Sequence, residues 1–351
     1  MWGSQNPLPS CVNRPSLCST VWDQFYGEPV VKACIENGAH CIDICGEPQF
    51  LEGVELVLDR KARESGVYVI GSCGFDSIPA DMGILYTRQQ FKGTLTAVES
   101  FLTANTGPEG VCVHDATWQS AIFGFADAAK LHFLRKQFNH KSLPVVGAKL
   151  KRRGSLFYCK GIGQYAVPFM GSDPSVVRRT QRHLYEEHQQ PPVQYCAYAG
   201  VGGLCSALKL LFSGLFFWLL VKCSLGRRLL ITFPEFFSWG MFTKAGPTQK
   251  QMEGTSFCMT LYGEGYTKGH DPSQGKPNMR ITTEIRGPEP GYVATPIIMV
   301  QAAMTFLNEP HSLPERGGVF TPGAAFARTS LIQRLHRHGL NFTIRDQQGA
   351  S

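Results

Sequence analysis

The sequence is poor in the motifs that announce a chemistry. None of its 12 cysteines forms a C-x-x-C pair, and the spacings of Cys34, Cys41 and Cys45 match no zinc pattern. No histidine pair has metal-ligand spacing, so no metal centre is expected. A P-loop and a Ser/His/Asp nucleophile elbow are both absent. Charge is scarce as well: 17% of the 351 residues are charged and the net charge is +7, so no nucleic-acid partner is expected. Residues 1–22 show neither a basic start nor an apolar run, which argues against a secretory leader. The cysteines are therefore expected to be reduced, mostly buried thiols of an intracellular protein. One formal dinucleotide fingerprint exists, Gly161-Ile162-Gly163-Gln164-Tyr165-Ala166, but Val167-Pro168 follows it. Proline there blocks the helix that would carry a pyrophosphate, so the segment is expected to be a hairpin or loop.

What is present begins with a strand–turn–helix junction. The apolar run Val67-Tyr68-Val69-Ile70 leads into Gly71-Ser72-Cys73-Gly74-Phe75-Asp76-Ser77, and a helical pattern follows over Ile78–Gln90. Gly71 and Gly74 permit close backbone approach, Asp76 or Ser77 can cap the helix, and Pro79 suits its first turn. Such a junction is the ligand edge of an open α/β sheet. Upstream, the pattern predicts a helix over residues 28–37, a strand over 39–44 and a second helix over 49–65. That alternation indicates a parallel sheet with helical crossovers. Downstream, strands are expected at 94–103, 256–262 and 279–286, with helices at 114–125 and 292–307. The last of these carries Val293, Ile297, Val300, Met304 and Leu307 as one stripe. Residues 1–22 are expected to be irregular.

Three further features bear on function. His114-Asp115 opens a helix after a glycine turn; a histidine beside an acid can move protons, or simply cap the helix. Basic residues gather at Lys149, Lys151, Arg152 and Arg153, and again at Arg178, Arg179 and Arg182. Such clusters suit a solvated face or contact with phosphates or anionic lipid. Tyr195–Val221 is a 27-residue stretch with one charge, Lys209. As a single helix it would be about 40 Å long, but its uninterrupted part, Leu210–Val221, is too short to span a bilayer. Lys222, Arg227 and Arg228 and then Phe233, Phe236, Phe237, Trp239 and Phe242 follow, as an interfacial anchor requires. Leu210, Phe212, Leu215, Phe216, Phe217 and Trp218 are the expected membrane-facing residues. A buried core helix or an oligomer interface is the competing assignment.

Several segments together resemble one family. Phe25-Tyr26-Gly27-Glu28-Pro29-Val30-Val31-Lys32-Ala33-Cys34, Cys41-Ile42-Asp43-Ile44-Cys45-Gly46-Glu47-Pro48 and Gly74-Phe75-Asp76-Ser77-Ile78-Pro79-Ala80-Asp81 are similar to the saccharopine dehydrogenase-like oxidoreductases. So are Gly291-Tyr292-Val293-Ala294-Thr295-Pro296 and Gly318–Phe326. The resemblance runs from about Phe25 to the C-terminus. It implies an α/β fold in which an incomplete Rossmann-like parallel sheet (residues 23–92) carries an inserted α+β domain (93–289), the chain returning to the first sheet over 290–351. It implies NAD(P) as cofactor, with Tyr26 at the lip of the cleft and Gly74, Phe75 and Asp76 bordering it. His114 and Asp115 would stand near substrate. Related bacterial members reduce lipid-linked enoyl groups in glycolipid assembly, and animal members associate with lipid droplets and membranes. The resemblance therefore favours a lipidic substrate over saccharopine, a lipid monolayer or membrane surface as partner, and a homo-oligomer as a further assembly. The family's G-x-x-G-x-x-G loop has no counterpart before Val21-Trp22-Asp23-Gln24. This suggests a truncated or alternative-start form, and as a second reading a catalytically silent, membrane-associated binding protein.

Overall fold

The computed structural model describes residues 16–17, 26–273 and 275–349. Most of the segment expected to be irregular, 1–22, lies outside them; its two described residues form a short strand. Two sheets carry the fold. The smaller is all parallel, in the order β1 (Ser16–Leu17), β2 (Cys41–Ile42), β3 (Tyr68–Ile70) and β12 (Gly318–Phe320). Strand periodicity divides its residues between two layers. Cys41, Val69 and Val319 pack with α1 (Glu28–Glu36) and α2 (Pro48–Glu64). Ile42, Ile70 and Phe320 point the other way, into the main core.

The larger sheet has seven strands. Its order is β13 (Asn341–Gly349), β11 (Met279–Pro288), β10 (Ser256–Thr267), β4 (Gly93–Asn105), β8 (Gln194–Gly200), β7 (Gln164–Pro168) and β6 (Phe157–Cys159). All pairs are antiparallel except β4–β8. Gly161–Ala166 belongs to the β6–β7 hairpin, as its proline predicts. β4 to β11 are inserted between β3 and β12. β12 returns to the parallel sheet, but β13 leaves it again to edge the larger one.

The helix expected at Ile78–Gln90 is α3, with those bounds. It is buried from Ile78 to Leu85 and rests on the large sheet. A Cβ at Gly83 would come within 2.6 Å of Ile285 Cδ1, and the Thr87 and Thr283 hydroxyls meet at 2.6 Å. The expected side-chain cap does not form at its start: the side chains of Asp76 and Ser77 turn toward α6 (Asp173–His188) instead.

A peripheral unit is built from α4 (Asp115–Ala126), α7 (Leu204–Val221), α8 (Ser224–Thr232) and α9 (Pro234–Phe237), while α5 (Ala128–Gln137), which follows α4, packs on α2. A two-stranded pair, β5 (Val113–His114) with β9 (Phe242–Thr243), ties it together, and α10 (Gln249–Gly254) leads back to β10. Trp118, Ile122, Val221 and Leu230 form its small core. One expectation needs correction here. Tyr195–Val221 is not one apolar segment, because residues 195–200 are β8, whose Ala197 and Tyr198 are buried in the sheet; the helix starts only after Gly202-Gly203. Hydropathy sums a buried strand and an exposed helix alike. The apolar stripe on α11 (Thr295–Asn308) lies on its outer side: Val300, Met304 and Leu307 face outward. The buried face carries Ile298, Ala302, Ala303 and Phe306, whose small alanines allow close packing beside α13 (Leu331–Arg337). α12 (Pro322–Phe326), which precedes α13 in sequence, is wholly buried against α3 and α6.

Candidate functional site

The carboxyl ends of β2, β3 and β12 converge, which is where ligands meet open α/β sheets. Asp43, just past β2, accepts hydrogen bonds from the backbone N–H of Cys45 at 2.9 Å and of Ser72 at 3.2 Å. Ser72 has φ +60°, uncommon without glycine, and its hydroxyl donates to the Cys45 carbonyl at 2.9 Å. These bonds fix the two loops to each other. Close packing explains the neighbouring glycines. A Cβ at Gly71 would meet Leu51 at 2.6 Å, and one at Gly74 would meet Thr295 at 3.1 Å and Ile44 at 3.2 Å. Gly74 is therefore backed by protein side chains.

Asp76 lies between two glycine backbones. Its carboxylate oxygens are 2.8 Å from a Cβ built at Gly46 and 3.0 Å from one at Gly171. It hydrogen-bonds Asp173, the first residue of α6. Two carboxyls in contact need a proton between them. Burial pushes Asp76 up to about 6. Burial, and then the charge of Asp76, hold Asp173 well above the usual carboxylate range. Beside them the Ser77 and Ser172 hydroxyls meet at 2.8 Å. Asp81, on α3, accepts from Thr180 Oγ1 and from the Gly323 N–H, both at 2.7 Å, yet burial still raises it to about 6. Asp81 Oδ1 and Asp173 Oδ1 have no hydrogen-bond partner. Tyr195 of β8, bonded to Ser100 at 2.6 Å, is pushed well up by burial and then by Asp173. The result is a polar layer between the two sheets, fed by β3, α3, α6, β12 and β8. Its carboxyls are held above the usual carboxylate range, Asp76 and Asp81 at about 6, the condition for general acid or base work.

The other sequence-predicted residues are scattered. Tyr26 is 63% exposed at the start of α1. Phe75 packs edge-on against Phe257 at 4.7 Å, and its N–H donates to Thr295 Oγ1 at 3.1 Å. His114 Nδ1 accepts the Ala116 N–H at 3.1 Å and so caps α4. An Nδ1 that accepts there offers no proton to Asp115, 3.2 Å away. The His114 N–H donates to the Tyr292 hydroxyl at 3.1 Å. The connector Glu289–Thr295 therefore touches both predicted regions, through Tyr292 and Thr295, and it does not bring His114 to Asp76. Asp173 was missed because it sits in Ser172-Asp173-Pro174, which reads locally as a helix start. Among the described residues no group of three His, Cys, Asp or Glu side chains could hold a metal ion.

Of the expected membrane-facing residues, Leu210, Phe212, Leu215, Phe216 and Trp218 are exposed on α7. Phe217 points inward, 4.9 Å from the Trp118 ring. Seven of the ten described cysteines are buried; Cys205 and Cys223, at the two ends of α7, are exposed.

Comparison with known proteins fits these features. No family model matches the chain. The saccharopine dehydrogenase-like oxidoreductase of Rattus norvegicus is 62% identical over 321 residues, covering 92% of this chain and 75% of the relative. The lipid droplet localized protein of Caenorhabditis elegans is 34% identical over 335 residues, covering 92% of this chain and 78% of its own. Among solved structures, apo saccharopine dehydrogenase (L-Glu forming) of Saccharomyces cerevisiae aligns with 94% of this chain and 85% of its own, at a TM-score of 0.46 and 11% identity. On the sequence relatives, the chain belongs to the saccharopine dehydrogenase-like oxidoreductase family.

Proposed function

We propose that this chain is an intracellular oxidoreductase of its family that works at a lipid surface on an apolar, lipid-type substrate. In this reading the Asp76–Asp173 pair supplies or takes the proton. The observation that carries it is the outer face of α7. An 18-residue apolar helix with only Ala207 and Val221 buried has no reason to face water. Each large side chain moved into lipid contributes about 1.5–3 kcal/mol. Lys222 Nζ, 3.3 Å over the Trp218 ring, places a cation at the helix end, and Arg227 and Arg228 follow on α8. That is the arrangement of an interfacial anchor. The relative in Caenorhabditis elegans is named for lipid droplets, which supports the same location. Flotation with phospholipid-coated oil droplets tests it: the protein should rise with the droplets and resist high salt, whereas a protein that stays in the soluble fraction would refute the reading.

The family's reductant is a nicotinamide dinucleotide, and it belongs to the proposal. A pyrophosphate does not fit the edge described above. The edge carries Asp43 and the proton-sharing Asp76–Asp173 pair, whose remaining negative charge repels phosphate, and the cavity between Asp43, Gly71 and Val319 is about 10 Å³, room for a single water. Its acceptors suit hydroxyl or amide groups. This favours a second reading, a lipid-surface binding protein without turnover. Titration of tryptophan fluorescence with NADPH separates the two: saturable quenching in the micromolar range supports the oxidoreductase, and none at millimolar supports the silent binder.

A further inference from the structure

The two basic clusters of the sequence meet on α6. Ser175, Arg178 and Arg182 are spaced i, i+3, i+7 and share one face of that helix. The Ser175 hydroxyl donates to Glu52 Oε1 at 2.5 Å. Arg135, from α5, holds the same carboxylate through Nε at 2.9 Å and Nη2 at 2.6 Å, so its guanidinium lies against this face. Arg182 donates to Glu186 at 3.0 Å and to the Lys141 carbonyl at 2.9 Å, which brings in the segment after α5. That segment also carries Arg152. Arg178 is exposed on α6, one helical turn from Ser175 and from Arg182, and so lies beside the Arg135 that Ser175 shares Glu52 with; the charges of Arg135, Arg152 and Arg182 act on it together, with Glu52 opposing them.

The acids nearby are already committed. Glu52 is taken by Arg135 and Ser175, Glu55 by Arg179, and Glu186 by Arg182. Among the described residues Arg178 and Arg152 form no ion pair. Like charges held this close repel, and an anion relieves the repulsion while using the planar donor forks of arginine. We propose that Arg178 and Arg152, flanked by Arg135 and Arg182, form a binding site for a phosphate ester group. The site stands apart from the acid layer and from α7, and it does not rest on the lipid-surface reading. The ester can belong to a soluble metabolite or to a lipid headgroup.

The test uses the whole chain in two arms. Inorganic pyrophosphate is titrated by calorimetry, and co-sedimentation is measured with phosphatidylcholine vesicles with and without phosphatidic acid, all at matched ionic strength. Saturable pyrophosphate binding assigns a soluble ester, and binding that needs phosphatidic acid assigns a headgroup. In whichever arm binds, Arg178→Gln should lose roughly tenfold or more in affinity, as expected for a charged hydrogen-bonding group. Its melting temperature should stay level or rise, because repulsion is relieved; a merely structural arginine would show a fall. Arg60→Gln removes the same charge from an exposed site on α2 and should bind like the wild type. No binding in either arm overturns the proposal, as does equal loss in the two variants.

Discussion

α3 and α7 invert the usual relation between apolarity and burial. α3 carries Asp81, Thr87 and a glycine, yet nine of its thirteen residues are buried. α7 is apolar almost throughout, yet two of its eighteen are. Partners make the difference. α3 lies between β10, β11, α6 and α12, and its polar groups find Thr180, Gly323 and Thr283. α7 packs on α8, α4 and the small Trp118 core on one side, with a brief contact to β7. Burial follows the surfaces available to a helix, and among the described residues α7 has one on a single side only.

That contrast can be broken from either end. The largest effect is expected on α7. Replacing Phe212, Phe216 and Trp218 together by serine should cost about 5 kcal/mol of lipid partitioning, read as loss of droplet flotation, with the melting temperature nearly unchanged because these side chains are exposed. Next comes the pH response of the acid layer. Asp81 is raised to about 6 when folded, above the ordinary carboxylate value, so the folded state binds the extra proton. The stability it contributes is full below about pH 4 and is lost as pH rises through 6, about 3 kcal/mol in all. Melting temperature should therefore fall between pH 5 and 7, and Asp81→Asn should flatten that slope. Gly83→Val should then destabilise by about 1–3 kcal/mol in chemical denaturation, since its side chain would strike Ile285. Smallest is His114→Ala, a lost helix cap of about 1 kcal/mol. If His114 only caps α4, any turnover survives the substitution; lost turnover in a variant that still folds would restore a catalytic role.

The local elements were legible where punctuation is strong. Pro79 and the glycine turn fixed the start of α3, and Val167-Pro168 marked a hairpin. The parallel order of β2, β3 and their helices followed from alternation. Longer-range placement was not legible. Nothing near Asp173 says that its partner is Asp76, because the pairing is made by α6 docking beside the β3 loop. The apolar stripe on α11 did not say which side of the helix is buried; the side with alanines packs more closely. Tyr195–Val221 merged a strand with a helix because both are apolar, one buried in the sheet and the other largely exposed among the described residues.

The final strand has a mechanical consequence. The backbone passes from the small sheet to the large after β3, returns at β12, and crosses once more to place β13 along β11. The large sheet is thus stitched at its rim by the C-terminus and cannot be lifted out as a cassette. A fragment ending before β12 would leave β11 with an open flank, a template for pairing with other chains. The two layers should melt as one cooperative unit, and fragments of the insertion should aggregate when expressed alone.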